Sequence, residues 1–184
     1  MIFNIFAKKE NMMVKMFKLI VCVNKKLVIG NNNELLYHIP NDLGNFKRLT
    51  IDNIIIMGKK TLESLPGGKP LPNRINIVLT RDKHFNMDGV IVAHSIEDVI
   101  EICNETSFQN KEKFIVGGGS IYKQFIEKGL VNEIYMTEVN DENDGDTIFP
   151  ELNTDVYKTT FQTEWYPISN MGCEYRYRIL KSKS

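Results

Sequence analysis

Lys113-Phe-Ile-Val-Gly-Gly-Gly-Ser-Ile-Tyr122 decides the fold. Its apolar, β-branched start reads as a buried strand, its three glycines as a tight turn, and Ile121, Tyr122, Phe125 and Ile126 as one face of a helix that follows. A strand that turns directly into a helix is the repeating unit of an α/β sheet. Similar runs recur at Phe17–Val23, Asn53–Met57, Ile75–Leu79, Val90–Val92 and Ile134–Val139. Helical patterns are expected over Asn41–Leu49, Lys60–Leu65, Ile96–Cys103 with Ser95 as its N-cap, and Ser120–Lys128 closed by Gly129. The tail alternates near Tyr157–Trp165 and Cys173–Leu180, which predicts an antiparallel hairpin completing a mixed sheet.

The 184 residues, 42% of them hydrophobic, suit one domain with room for a pocket beside its core. Lys plus Arg and Asp plus Glu both number 23, so no charge excess points to nucleic acid or an anionic membrane. No apolar run approaches the roughly 18 residues of a membrane span. Cys22, Cys103 and Cys173 lie far apart without metal-ligand spacing, and they read as free thiols of a reducing cytoplasm. Residues 1–16 have the wrong order of basic and apolar residues for a secretory signal, so they are expected as a flexible extension before a domain over 17–184. The acidic stretch Asp141–Asp146 reads as a solvated turn, or alternatively as a mobile loop near a ligand.

Three features carry chemistry. Asp42 precedes Phe46 by four residues and Leu49 by seven, so a helix puts its carboxylate on the apolar stripe. It either complements the helix N-terminus or serves as a partly buried acid, and such an acid suits a planar ligand edge carrying two N–H groups. The glycine turn at 117–119 is either a plain tight turn or a phosphate cradle, where backbone N–H groups and a helix start meet an anion. Ile54-Ile-Ile-Met-Gly-Lys-Lys-Thr61 and Ile75-Asn-Ile-Val-Leu-Thr-Arg81 end in glycine, hydroxyls and cations. Three such strand ends fit a diphosphate cofactor with an extra phosphate, so Lys59 and Arg81 favour NADPH over NADH unless they are ordinary surface charges.

Taken in order, Val28-Ile-Gly30, Leu35, Pro40-Asn-Asp42, Phe46, Thr50, Ile56–Thr61, Leu71-Pro-Asn-Arg74, Val116–Tyr122 and Gly145-Asp-Thr-Ile-Phe-Pro150 resemble the dihydrofolate reductase family. The resemblance spans 17 to about 180. It implies a single α/β domain with a central mixed eight-stranded sheet, mostly parallel with an antiparallel C-terminal strand, flanked by four helices. The implied reaction is reduction of 7,8-dihydrofolate by NADPH, which supplies one-carbon metabolism. By this resemblance Asp42 holds the pterin's N3–H and 2-amino edge and promotes protonation at N5, with Thr137 behind it. Ile20, Val21, Leu43, Phe46, Leu65, Val116 and Tyr122 wall the ring pocket, and Arg74 clamps the glutamate carboxylate. Lys59, Thr61 and Arg81 fall at the 2′-phosphate, and Gly118, Gly119, Ser120 and Ile121 at the diphosphate turn. Val21, Ile29, Gly30, Gly58, Lys60, Leu79, Thr80, Val116 and Tyr122 complete the implied NADPH site.

The family's lid corresponds to Gly30–Ile39 and its supporting loop to Gly145–Thr147. The sequence departs from the family pattern at Leu36-Tyr37, where Pro-Trp is usual. By the resemblance that tryptophan packs on the lid and helps hold a water near the substrate; Tyr37, at this catalytic position, keeps an aromatic body with a polar tip, so activity is expected to survive on a looser lid. His38 falls in the lid, His84 in a surface loop and His94 beside the expected adenine. The implied partners are dihydrofolate and competing antifolates, with neither nucleic acid nor membrane, and the chain is expected as a cytoplasmic monomer. Two rival readings are another nicotinamide-dependent reductase of the fold, such as the pyrimidine reductase of riboflavin synthesis, and a non-catalytic NADPH-binding module.

Overall fold

The computed structural model describes residues 17–169 and 171–183, so the expectation for residues 1–16 lies outside the described residues. Strands β1 (Phe17–Asn24), β4 (Ile54–Gly58), β5 (Ile75–Leu79), β6 (Val90–Ala93), β7 (Lys113–Gly117), β8 (Val131–Val139), β10 (Tyr157–Gln162) and β12 (Glu174–Ser182) form the main sheet. They lie in the order β10-β12-β8-β1-β7-β4-β5-β6. Every pair from β8 to β6 is parallel, whereas β12 runs antiparallel to both β8 and β10. The mixed, mostly parallel eight-stranded sheet is therefore as expected. Ile54, Ile55, Ile56 and Met57 are all fully buried, because a central parallel strand is covered on both faces.

Helices α1 (Pro40–Thr50), α2 (Lys59–Ser64), α3 (Ile96–Cys103) and α4 (Gly119–Glu127) flank the sheet. Ser95 and Asp98 form a reciprocal capping box on α3. Gly129 takes a φ of 67° just beyond α4, a conformation that favours glycine. Helix α1 begins one residue earlier than the pattern suggests. Pro40 occupies its first position, where the missing N–H costs nothing, and no side chain caps it.

Two expectations need correction. The strand expected to reach Trp165 stops at Gln162, because the ladder bulges between Thr159 and Phe161 and β11 (Tyr166–Pro167) takes over the pairing with β12. Trp165 leaves the ladder, and its ring lies 4.4 Å from the Arg176 guanidinium carbon. The stretch Gly30–Ile39 is not simply a flexible loop. Strands β2 (Val28–Asn31) and β3 (Glu34–Leu35) form a hairpin whose two turn residues, Asn32 and Asn33, both have positive φ, and β9 (Thr147–Ile148) pairs on its other side.

Candidate functional site

Asp42 lies in the first turn of α1, yet its hydrogen bond leaves the helix. The Thr137 hydroxyl, from the middle of β8, donates to Asp42 Oδ1 at 2.5 Å. Burial raises the Asp42 carboxyl pKa, and the Thr137 bond opposes that rise only in part. The arrangement is a half-buried acid that a ligand's hydrogen-bond donors would bring back toward ionisation.

The walls around it come from several elements. The Arg74 guanidinium carbon sits 6.0 Å from the Phe46 ring centroid. Arg74 Nε donates to Thr50 Oγ1 at 2.8 Å and Nη1 to the Pro72 carbonyl at 2.9 Å, so the guanidinium is held along one edge. The Thr50 hydroxyl in turn donates to the Phe46 carbonyl, which links the clamp to the end of α1. Desolvation lowers the Arg74 pKa from its ordinary value. Sequence reasoning missed the buried Asn76, which pairs with both polar groups of the Leu71 backbone and donates to the Arg74 carbonyl. It thereby shapes the loop that presents Arg74. A buried amide on an otherwise apolar strand was the available signal.

Ile20, Leu65 and Val116 are half-buried and pack on one apolar cluster. Leu43 is 42% exposed. Val21 and Tyr122 differ from the expectation, because β1 alternates: the Val21 side chain stands with Leu19 and Val23 in the main core, on the opposite face from Ile20. Tyr122 is buried in that same core and donates its hydroxyl to the Ile20 carbonyl at 2.7 Å. Tyr37 also has a different neighbourhood. It is buried, its hydroxyl donates to Asp141 at 2.6 Å, and that same oxygen receives the Asn24 amide at 3.3 Å. Asn24 donates as well to the Asn143 carbonyl. The acidic stretch is thus tied to the lid through Tyr37 rather than being merely solvated.

A second cleft of about 950 Å³ opens where β4, β5 and β7 end. It gathers Gly58, Lys59, Lys60, Thr61, Leu79 and Thr80 with Arg81, Gly118, Gly119, Ser120 and Ile121. Val21, Ile29, Gly30, Val116 and Tyr122 are not among its walls. Asn33, Ser95 and Gln124 are walls that the sequence did not suggest, and His94 lies there with Nδ1 2.9 Å from the Thr80 carbonyl. Lys59 already pairs with Asp82 at 2.9 Å and lies over the Phe85 ring, so a phosphate would have to share or displace that partner. The Gly117–Gly118 peptide is cis. Gly145 packs so closely on the β2 hairpin that an added Cβ would lie 2.5 Å from the Gly30 carbonyl oxygen. Asp146, next to it, accepts from the Asn32 backbone N–H. Among the described residues no helix is long and apolar enough to cross a membrane, and no group of His, Cys, Asp or Glu could hold a metal ion.

Comparison with known proteins agrees with this geometry. The chain is 38% identical to the dihydrofolate reductase of Staphylococcus aureus over 146 residues, which is 79% of this chain and 85% of the relative. It is 41% identical to that of Staphylococcus haemolyticus over 140 residues, covering 76% and 80%. A solved structure of dihydrofolate reductase from Enterococcus faecalis, complexed with NADP(H) and RAB-propyl, superposes with a TM-score of 0.80 at 29% identity, covering 92% of this chain and 97% of that one. The dihydrofolate reductase family model matches residues 16–181. With an acid on α1 backed by β8, a guanidinium clamp at the end of the same helix and a glycine-lined cleft beyond three parallel strands, the chain belongs to the dihydrofolate reductase family.

Proposed function

We propose that this protein reduces 7,8-dihydrofolate to 5,6,7,8-tetrahydrofolate using NADPH. Asp42 carries the reading: it is a half-buried carboxyl with a raised pKa and one hydroxyl donor, on a helix that ends at an arginine clamp. A pterin presents N3–H and its 2-amino group side by side, and a carboxylate accepts both. Asp42 then orients the ring and, through it, promotes protonation at N5. Thr137 holds the carboxylate in place. Arg74, fixed by Thr50 and Pro72, keeps donors for the carboxylate of a glutamyl tail. Phe46, Leu65, Ile20, Leu43 and Val116 exclude water around the rings.

The second cleft fits a phosphorylated dinucleotide. Lys59, Lys60, Thr61, Arg81 and Ser120 supply donors, and at Gly118 even a Cβ would approach the Thr61 hydroxyl to 3.3 Å. When bound, the nicotinamide supplies the hydride that C6 of the substrate accepts. Tyr37 acts here as a positioning residue that fixes the lid. The reading extends to a cytoplasmic monomer whose pocket competing antifolates also occupy, and to residues 1–16 as an extension of the domain.

The test is dihydrofolate-dependent loss of the reduced-nicotinamide absorbance, repeated with Asp42→Asn. The variant should keep its NADPH affinity and lose about 10²–10⁴ in turnover, the contribution of a positioned acid. Near-normal turnover in Asp42→Asn would remove Asp42 from the mechanism, and cofactor binding without turnover in the natural chain would favour a binding module.

A further inference from the structure

A cavity of about 720 Å³ lies between α1 and the sheet, separate from the cleft at the strand ends. Asn41, Gly44, Asn45 and Arg48 form its roof. They recur at the spacing of a single helical stripe, and Phe46 stands about 200° around the helix from Gly44 at 100° per residue. The stripe and the Phe46–Arg74 wall therefore occupy different sides of α1, while Asp42, about 40° from Phe46 on the same count, borders both spaces. Its floor is aromatic and aliphatic: Tyr135, Tyr177, Ile179 and Phe161 share one face of the sheet, since Tyr177 is paired with Thr137, Ile179 with Tyr135 and Phe161 with Ile179. Asp42, Thr137, Leu49 and Ile20, the last also a wall of the proposed ring pocket, border it as well.

Gly44 shows that the space is not simply what the fold requires. A Cβ built there meets nothing within 4 Å, and its φ is not in the left-handed region. Glycine inside a helix costs about 0.5–1 kcal/mol relative to alanine, so an alanine here would strengthen α1 and begin to fill the void. The polar roof is ordered, with Arg48 donating to Asn45 Oδ1 at 2.6 Å and Asn41 donating to the Tyr175 hydroxyl at 3.1 Å. The Tyr175 ring meets Tyr166 at a tilt, with centroids 5.7 Å apart, and Tyr177 edge to face at 5.5 Å, which gives the cavity a wall of rings.

We propose that this cavity is a second ligand site, for a planar aromatic anion of one or two fused rings. The ring faces the tyrosines and Phe161, and the carboxylate or sulfonate meets Arg48. The anionic end is the one at Arg48, because Asp42 closes the other end with like charge and Arg178, the lining's other cation, is already paired with Glu138. Arg48 and Asp42 are six residues apart, about 9 Å along the axis at 1.5 Å per residue, a span that a two-ring acid covers. Filling the cavity takes water from one side of the Asp42 carboxyl while Phe46 and Arg74 stay free. An occupant should therefore lower turnover without competing with dihydrofolate. That kinetic consequence rests on the role proposed for Asp42, whereas binding itself does not.

The test is calorimetric titration of 2-naphthoate into the full chain, alone and with NADPH and a diaminopyrimidine antifolate at saturation. One site with a Kd below about 1 mM is expected in both cases. Arg48→Gln should weaken binding about tenfold or more, the loss of one charge-assisted hydrogen bond. Gly44→Leu should abolish it while melting no lower than the natural chain, so that the loss is not unfolding. Absence of binding at millimolar ligand, displacement by the antifolate, or equal affinity in both variants overturns the proposal. Binding that behaves as expected in a chain that does not turn over dihydrofolate keeps this site and removes the proposed reaction.

Discussion

Among the described residues the Thr137 hydroxyl is the one side-chain donor to Asp42, and Thr137→Val removes it. Thr137 is 4% exposed on β8, between Cys22 of β1 and Tyr177 of β12 in register. Valine keeps the β-branched shape and the strand preference, so the sheet should hold while the donor at Asp42 Oδ1 is lost. A hydrogen bond to a charged group contributes about 1.5–3 kcal/mol, and it contributes less to the neutral acid. The difference stabilises the ionised form, and removing it leaves burial unopposed, so the Asp42 pKa rises further. If protonation at N5 depends on Asp42, the alkaline limb of the kcat/KM profile for dihydrofolate should move to higher pH in Thr137→Val. The assay is the full pH profile of both proteins, together with Thr137→Val in the Asp42→Asn background, where the shift should vanish. A limb that stays in place or moves to lower pH refutes the reasoning. A shift that persists without Asp42 assigns the titration to another group.

The raised pKa of Asp42 also has a sign in stability. Because the folded chain binds this proton more tightly than the unfolded chain, stability falls as pH rises from the unfolded pKa through the folded one. Asp42→Asn should therefore melt above the natural protein at neutral pH, and the gap should close below about pH 4, where both states are protonated. A gap independent of pH would show that packing, not ionisation, causes it. Tyr37→Phe removes the hydroxyl between Asn24 and Asp141, and urea unfolding should register a loss of about 1 kcal/mol, small because Asp141 is partly solvated. An unchanged midpoint would mean that the latch holds nothing. Gly145→Ala places a Cβ against the Gly30 carbonyl and the Val28 side chain, so the hairpin must shift. NADPH affinity, read by fluorescence titration, should fall about tenfold, equivalent to 1.4 kcal/mol, and unchanged affinity would uncouple this loop from the cofactor cleft.

The parts of the fold legible in the sequence are those whose burial repeats along the chain. Ile75–Leu79 and Ile96–Cys103 match the expected bounds, since a covered parallel strand is a continuous apolar run and a capped helix announces its start at Ser95. The short strands of the lid sheet could not be read that way. Two-residue strands carry no period, and this sheet depends on positive φ at Asn32 and Asn33 and on a close approach from Gly145, more than a hundred residues away. The site divides along the same line. Asp42 was legible because an acid interrupts an apolar stripe, and the cations near the cofactor cleft because they end strands. Their partners were not, since Thr137, Asp82 and Asp141 lie far along the chain from Asp42, Lys59 and Tyr37 or mean nothing until the strands are placed.

The roof of the cavity behind α1 is the sharpest case. Asn41, Gly44, Asn45 and Arg48 drew no functional expectation from the sequence, because a polar stripe at helical spacing is the mark of an ordinary surface. In the fold that stripe faces Tyr177, Phe161 and Ile179 across open space. Polar residues at helical spacing therefore identify a face that is not packed, and only the neighbouring sheet reveals that this one rims an open cleft beside the acid that Thr137 holds.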